Sequence, residues 1–151
     1  MTIETDAATY NPSSYDQVNY IEVIETVITS LREEGTAMVN HNQDGYLWKF
    51  KYGSVDVLVQ LSGLTDDDTL TVWSSILSAP FKNELHLLQK LMRLNWSETL
   101  ESRFALLNDQ VVVLSSRTVA DLSPGEISRA ITIVATLADD YDDALIAEFS
   151  A

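Results

Sequence analysis

The residues in this chain best suited to chemistry are carboxylates. Asp66-Asp67-Asp68 and Asp139-Asp140-Tyr141-Asp142-Asp143 are dense in the hard oxygen ligands that calcium and magnesium take. On a helix, Asp139 shares a face with both Asp142 and Asp143, and two such carboxylates suit weak association with a divalent cation. Neither run has the Asp-x-Asp-x-Asp-Gly spacing and distal Glu of an EF-hand loop, so the simpler reading is a hydrated acidic face. Four Asp within five positions also repel one another late in a helix, where the dipole disfavours anions. That repulsion calls for either a weakened helix or a basic partner. The clusters around Asp66 and Asp139 thus frame one hypothesis, a metal- or small-molecule-binding enzyme.

Other reactive types are sparse. Of the two histidines, His41 falls in or beside a turn and His86 on the polar arc of a helix, and neither has a neighbour suggesting a triad or a metal pair. The pairs Ser13-Ser14, Ser74-Ser75 and Ser115-Ser116 lie in no Gly-x-Ser-x-Gly elbow. The chain has no cysteine, which excludes disulfides, thiol catalysis and cysteine–zinc sites. No glycine-rich loop precedes a helix and no Walker lysine is present, so a phosphate cradle is not expected. This reading assigns no catalytic, cofactor-binding or metal residue.

Charge narrows the partners. With 9 Lys+Arg against 23 Asp+Glu, the 151 residues carry a net charge of −14, a surface that repels nucleic-acid backbones and anionic lipid. The excess is uneven: residues 1–44 hold 8 acidic and 1 basic residue, 45–120 hold 8 and 7, and 121–151 hold 7 and 1. Both terminal segments are strongly acidic and the middle is nearly balanced. Met1 is followed by Thr-Ile-Glu-Thr-Asp, with neither a basic nor an apolar leader, so no secretory signal is expected. The longest apolar runs, such as Val111–Leu114, are far short of the ~20 residues of a membrane span. A cytoplasmic location, with no nucleic-acid or membrane partner, is the expectation.

The periodicities then supply the elements. Residues 1–12 read as a flexible lead-in ending at Asn11-Pro12, and 13–151 as a single domain. Ser14-x-x-Gln17 reads as a capping box, placing a helix start near Ser13 or Ser14. Val18, Ile21, Ile24, Ile28 and Leu31 form its apolar stripe before Gly35. Ala37–His41 reads as a short edge strand. Tyr46, Trp48, Phe50 and Tyr52 alternate with Leu47, Lys49 and Lys51, and after Gly53-Ser54 Val55, Val57, Val59 and Leu61 alternate with Asp56, Leu58 and Gln60. Pairing across that turn sets Tyr52 opposite Val55, Phe50 opposite Val57, Trp48 opposite Val59 and Lys51 opposite Asp56. Each such pair is worth roughly 0.2–1 kcal/mol, and a one-residue slip loses them all.

Leu70–Leu77 is a fourth strand, followed by a helix from an Asn83 cap to about Leu94. A second hairpin, Ser102–Leu107 and Gln110–Ser115, turns at Asn108-Asp109. Ser123-Pro124-Gly125-Glu126 opens a last helix, with Ser as cap, Pro in the first turn and Glu reaching back. The order is α-β-β-β-β-α-β-β-α, an α+β domain with helices packed on an antiparallel sheet. On the middle helix Leu85, Leu87, Leu88, Leu91, Met92 and Leu94 cover about half the circumference, beyond the ~100° stripe that one-sided burial uses. A second copy of the chain would cover the surplus, which predicts a homodimer.

Several stretches together carry a family likeness: Leu70–Leu77, the helix Asn83–Asn95 closing in Leu94-Asn95, Arg103-Phe104-Ala105-Leu106, and Leu122-Ser123-Pro124-Gly125-Glu126 leading to Ala138-Asp139-Asp140-Tyr141. From Asp56 onward the chain resembles the bacterial YbjN-like family, whose fold belongs with the chaperones of type III secretion. The resemblance implies a small, acidic, usually homodimeric sandwich without an established reaction, associated with stress adaptation and regulation. It implies no catalytic residues. Secretion chaperones of this fold wrap an extended stretch of another protein around the dimer. The expectation is a non-enzymatic module that binds other polypeptides, with Leu87, Leu91 and Leu94 as candidates for self-association. Trp73, Phe81 and Trp96 are candidate groove residues, with core packing as their alternative.

Overall fold

The computed structural model describes residues 18–32, 38–42 and 45–151, with no account of the side chains of 38–42. Nine elements follow in the expected order: α1 (Tyr20–Leu31), β1 (Met38–Asn42), β2 (Gly45–Tyr52), β3 (Val55–Leu61), β4 (Thr69–Ser78), α2 (Glu84–Ser97), β5 (Arg103–Leu107), β6 (Gln110–Thr118) and α3 (Pro124–Phe149). The strands form one six-stranded antiparallel sheet in the order β1-β2-β3-β4-β6-β5. Helix α3 crosses β2, β3, β4 and β6, α1 lies against α3, and α2 packs at the β5 end.

The β2–β3 hairpin has the register its alternation dictates. Tyr52 pairs with Val55, Lys51 with Asp56, Phe50 with Val57 and Trp48 with Val59. Trp48 and Phe50 are buried with Val57 and Val59, which settles the aromatic face as core. The ion pair on the reverse face is displaced by one step: Lys49, not the directly opposed Lys51, lies 3.9 Å from Asp56. A long lysine reaches a diagonal neighbour across a twisted ladder as readily as the residue opposite.

In β4 the register shifts between Ser75 and Leu77, so Ile76 and Leu77 are both buried although adjacent. Such a bulge re-aims side chains that strict alternation would separate.

Helix ends follow local chemistry. The anticipated capping box at Ser14 and Gln17, like the lead-in 1–12, lies outside the described residues. Within them α1 starts at Tyr20, where the Asn19 side chain accepts from the Glu22 N–H. In α3 the Ser123 Oγ accepts from the Glu126 N–H and bonds the Glu126 carboxylate, as the Ser-Pro-Gly-Glu pattern dictates. Asn83 does precede α2, but it sits in the left-handed region at φ 54° and its side chain makes no capping bond. Asn tolerates that conformation better than most residues, which accounts for its place there.

Candidate functional site

Among the described residues, the helices bury one face of the sheet and no second layer lies on the other. Val57, Val59, Leu70, Val72, Val111 and Val113 are buried beneath α3, whereas Leu58, Thr71, Trp73 and Leu114 on the reverse face are only half-buried. Register places the reverse-face residues in a transverse row. Lys49 opposes Leu58, Leu58 opposes Trp73, Trp73 opposes Leu114, and Leu114 opposes Arg103. Strands lie about 4.8 Å apart, so the row spans roughly 19 Å, apolar at its centre and cationic at both ends. Beside it, Trp73, Val112, Leu114, Ala105, Leu106 and Leu107 line a shallow cleft of about 290 Å³.

Helix α2 supplies a second apolar surface, distributed differently from the expectation. Leu87 is 0% exposed and Leu91 5%, and Leu94 is partly buried against the same core, so these side chains hold α2 to its own subunit. The surplus face consists instead of Leu85, Met92 and Trp96, which are 71%, 70% and 90% exposed. Their spacing, i, i+7 and i+11, aligns them in one stripe, and the 11-residue interval covers about 16 Å of helix. The width of the apolar arc was visible in the sequence. Which half turns inward depends on where β5 and α3 lie.

Among the groove candidates, Trp73 lies at the centre of the bare face and Trp96 on the exposed stripe. Phe81 is half-buried against the core, where its backbone bridges Ser150 after α3. The structure therefore separates the three rather than gathering them into one groove.

A residue with no chemical signal in the sequence closes the sheet beside α2. The Asn95 Oδ1 accepts from the Phe104 N–H at 2.7 Å, and the Asn95 Nδ2 donates to the Phe104 carbonyl at 3.2 Å. One side-chain amide thus imitates a neighbouring strand at the free edge of β5, which otherwise presents unpaired backbone. The Leu94-Asn95 pair in the last turn of α2, which runs on to Ser97, is a packing device: leucine faces the core and asparagine caps the edge.

The acidic runs resolve into two hydrogen-bonded arrangements. The Asp68 Oδ2 accepts from the Thr65 N–H and Oγ1, and Oδ1 accepts from the Ser62 Oγ. These bonds hold its carboxyl below the usual carboxylate value, those from Thr65 contributing most. Asp68 is the internal clasp of the β3–β4 loop, while Asp66 and Asp67 point to solvent. On α3, the Asp139 Oδ1 accepts from the Ser54 N–H and lies 3.0 Å from the Ser54 Oγ, which donates at 2.6 Å to the Asp142 Oδ2. Gly53 makes this docking possible: at φ 54° it holds the turn, and a Cβ there would collide with the Asp139 carboxylate. Among the described residues, no three His, Asp or Glu side chains converge in a metal-binding arrangement. His86 is exposed and packs edge-on against Phe149 at 5.5 Å, and the side chain of His41 is not described.

Tyr141 packs edge-on to Phe104 at 5.5 Å. Burial, followed by the nearby Glu98 and Asp140 charges, raises its hydroxyl above the ordinary tyrosine range, with Lys90 opposing. No helix among the described residues is long and apolar enough to cross a membrane.

No curated protein matches the sequence. A chain of the crystal structure of the ExsC–ExsE complex matches the fold with a TM-score of 0.52 at 14% sequence identity. The match covers 85% of this chain and 97% of that one. At that identity the likeness is one of fold: the same α+β arrangement of an antiparallel sheet with helices against it. The family model described as "Putative bacterial sensory transduction regulator" aligns with residues 20–147, from the first residue of α1 almost to the end of α3. By that span of sequence, the chain belongs to the YbjN family.

Proposed function

We propose that this protein is a non-enzymatic, cytoplasmic, homodimeric module of chaperone-like or regulatory character that binds other polypeptides. The observation that carries the reading is the uncovered row Leu58–Trp73–Leu114 in the middle of a six-stranded sheet. A sheet face is stable in water when it is polar, and an apolar one with a central Trp suits an extended chain laid across it. The fold likeness supports this reading, since that neighbour is part of a complex, ExsC–ExsE. The Leu85–Met92–Trp96 stripe is the self-association surface in this account, because a helix stripe is readily self-complementary about a two-fold axis. The acidic terminal segments keep such a molecule dispersed and disfavour anionic partners.

Light scattering coupled to size exclusion, together with an array of extended apolar peptides, tests both surfaces. The wild type is expected to be a dimer at tens of micromolar, and Met92→Glu with Trp96→Glu a folded monomer. Trp73→Asp is expected to lose peptide binding while keeping its circular dichroism. A wild type that is monomeric throughout refutes the dimer, and peptide binding indifferent to Trp73 refutes the docking face. Leu91 is unsuitable for the dimer test, since a charge at a site 5% exposed unfolds the subunit.

A further inference from the structure

Where β3 and β4 part, a second cavity is walled by a carboxylate that the described residues leave half served. The β3–β4 register runs from Leu58–Trp73 to Leu61–Leu70. Beyond it β4 continues along β6, and the Ser74 hydroxyl bonds the Asp56 carbonyl. The wedge between the strands is a cavity of about 320 Å³ lined by Lys49, Asp56, Leu58, Ile76 and Ile146, with Ser54 and Asp142 of the docked β2–β3 turn and α3 in its wall. Asp142 is 4% exposed, and its Oδ1 has no hydrogen-bond partner among the described residues.

Its other oxygen shares the single Ser54 hydroxyl proton with the Asp139 contact, and the shorter 2.6 Å bond gives that proton to Asp142. One hydrogen bond is far below what a buried carboxylate accepts, and an uncompensated buried charge is costly. Among the described residues the deficit is not made up from within. Lys49, the one cation in the lining, lies against Asp56 at 3.9 Å. Among the residues whose side chains are not described, 1–17 and 33–44, the one Lys, Arg or His is His41, whose backbone pairs with Tyr46 at the end of β2 remote from the Ser54 turn.

We infer that this cavity receives a lysine or arginine side chain of a bound extended polypeptide, its cationic head held at the wall where the Asp142 carboxylate lies. The alkyl stem packs between Leu58, Ile76 and Ile146, as such stems do along apolar walls. At about 320 Å³ the space suits one side chain, being at the bottom of the ~300–1,000 Å³ range of small-ligand pockets. The position continues the docking face. Ser75 lies two residues along β4 from Trp73, and Asp56 two residues along β3 from Leu58, one side-chain repeat of about 6.7 Å. A chain lying over Trp73 therefore presents a neighbouring side chain to the cavity. This inference rests on the polypeptide-binding reading and adds the residue type the partner carries.

The test is a low-salt amide NMR titration of the full chain with Nα-acetyl-lysine methylamide, its arginine analogue and the neutral norleucine analogue. A six-residue apolar peptide containing one lysine, and its norleucine twin, form the second arm. The two cationic amides are expected to shift the Ser54, Asp56, Asp142 and Ile146 signals, and the norleucine analogue to leave them in place. The lysine peptide is expected to bind at least tenfold more tightly than its twin. Asp142→Asn is expected to abolish both preferences with an unchanged or higher melting temperature, the mark of a residue kept for binding. Ser75→Lys, which places an ammonium in the cavity from within, is expected to block the probes without unfolding the chain.

A melting temperature lowered by more than a few degrees in Asp142→Asn makes Asp142 structural and overturns the inference. Equal binding of the two peptides overturns it while leaving the Trp73 docking face intact. Shifts from the free amides with no binding of either peptide overturn the polypeptide source, and with it the function proposed above.

Discussion

Replacing Asn95 by alanine tests whether a side-chain amide closes the sheet. The substitution removes the 2.7 Å bond from the Phe104 N–H and the 3.2 Å bond to the Phe104 carbonyl. Both Phe104 groups lie at a partly buried edge, and Phe104 itself is 5% exposed. Orphaning a buried backbone group costs about 1–3 kcal/mol, while alanine returns about 0.6 kcal/mol of helix propensity at this position. Water reaches the exposed side of β5 and satisfies part of the loss, so the net cost works out at about 1–2 kcal/mol. For a chain of this length each kcal/mol moves the melting temperature by about 2–4 °C, giving a fall of roughly 2–8 °C. Asn95→Asp separates the two bonds: it keeps the acceptor for the Phe104 N–H and sets a carboxylate against the Phe104 carbonyl. The assays are thermal unfolding and hydrogen exchange at the Phe104 amide, which is expected to lose protection in Asn95→Ala and retain it in Asn95→Asp. An Asn95→Ala protein with unaltered melting and unaltered Phe104 exchange would refute the edge-capping argument.

Two further outcomes bear on the same architecture. Leu87→Ala is expected to cost about 2–5 kcal/mol by urea unfolding because it opens a cavity in the core, whereas Met92→Ala, five residues on, is expected to change monomer stability by under about 0.5 kcal/mol. Asp68 has a lowered pKa in the fold, so its contribution to the loop is present above the unfolded-state value near 3.8 and fades as acidification reaches the folded value. Proteolysis of the loop around Thr65 is therefore expected to rise on going well below pH 3.8 in the wild type, and Asp68→Asn is expected to show the raised rate already at pH 7.

Local rules made much of this molecule legible from its residues in order. The alternation in β2 and β3 admits one register that buries Trp48, Phe50, Val57 and Val59 together, and the fold adopts it. Ser123-Pro124-Gly125-Glu126 sets the start of α3 by satisfying the first-turn N–H groups within four residues. Element order, sheet class and family likeness all depend on such short-range patterns. The distribution of roles within them does not. Half the circumference of α2 was visibly apolar, yet Leu87 and Leu91 face inward while Met92 and Trp96 face out, because the position of α2 against β5 sets the rotation of the helix.

The acidic runs show the same divide. Their repulsion could be read from spacing, but Asp68 bonds Thr65 and Ser62 only three and six residues away, whereas Asp139 and Asp142 meet Ser54 from 85 and 88 residues away. What the sequence determined by itself is therefore what neighbours along the chain can settle: periodicity, turns, caps and net charge. The tertiary structure alone decided which apolar face stays bare and which carboxylate lacks a partner among the described residues. Those outcomes arise where distant segments compete for the same volume and the same few protons, and no local pattern encodes the result.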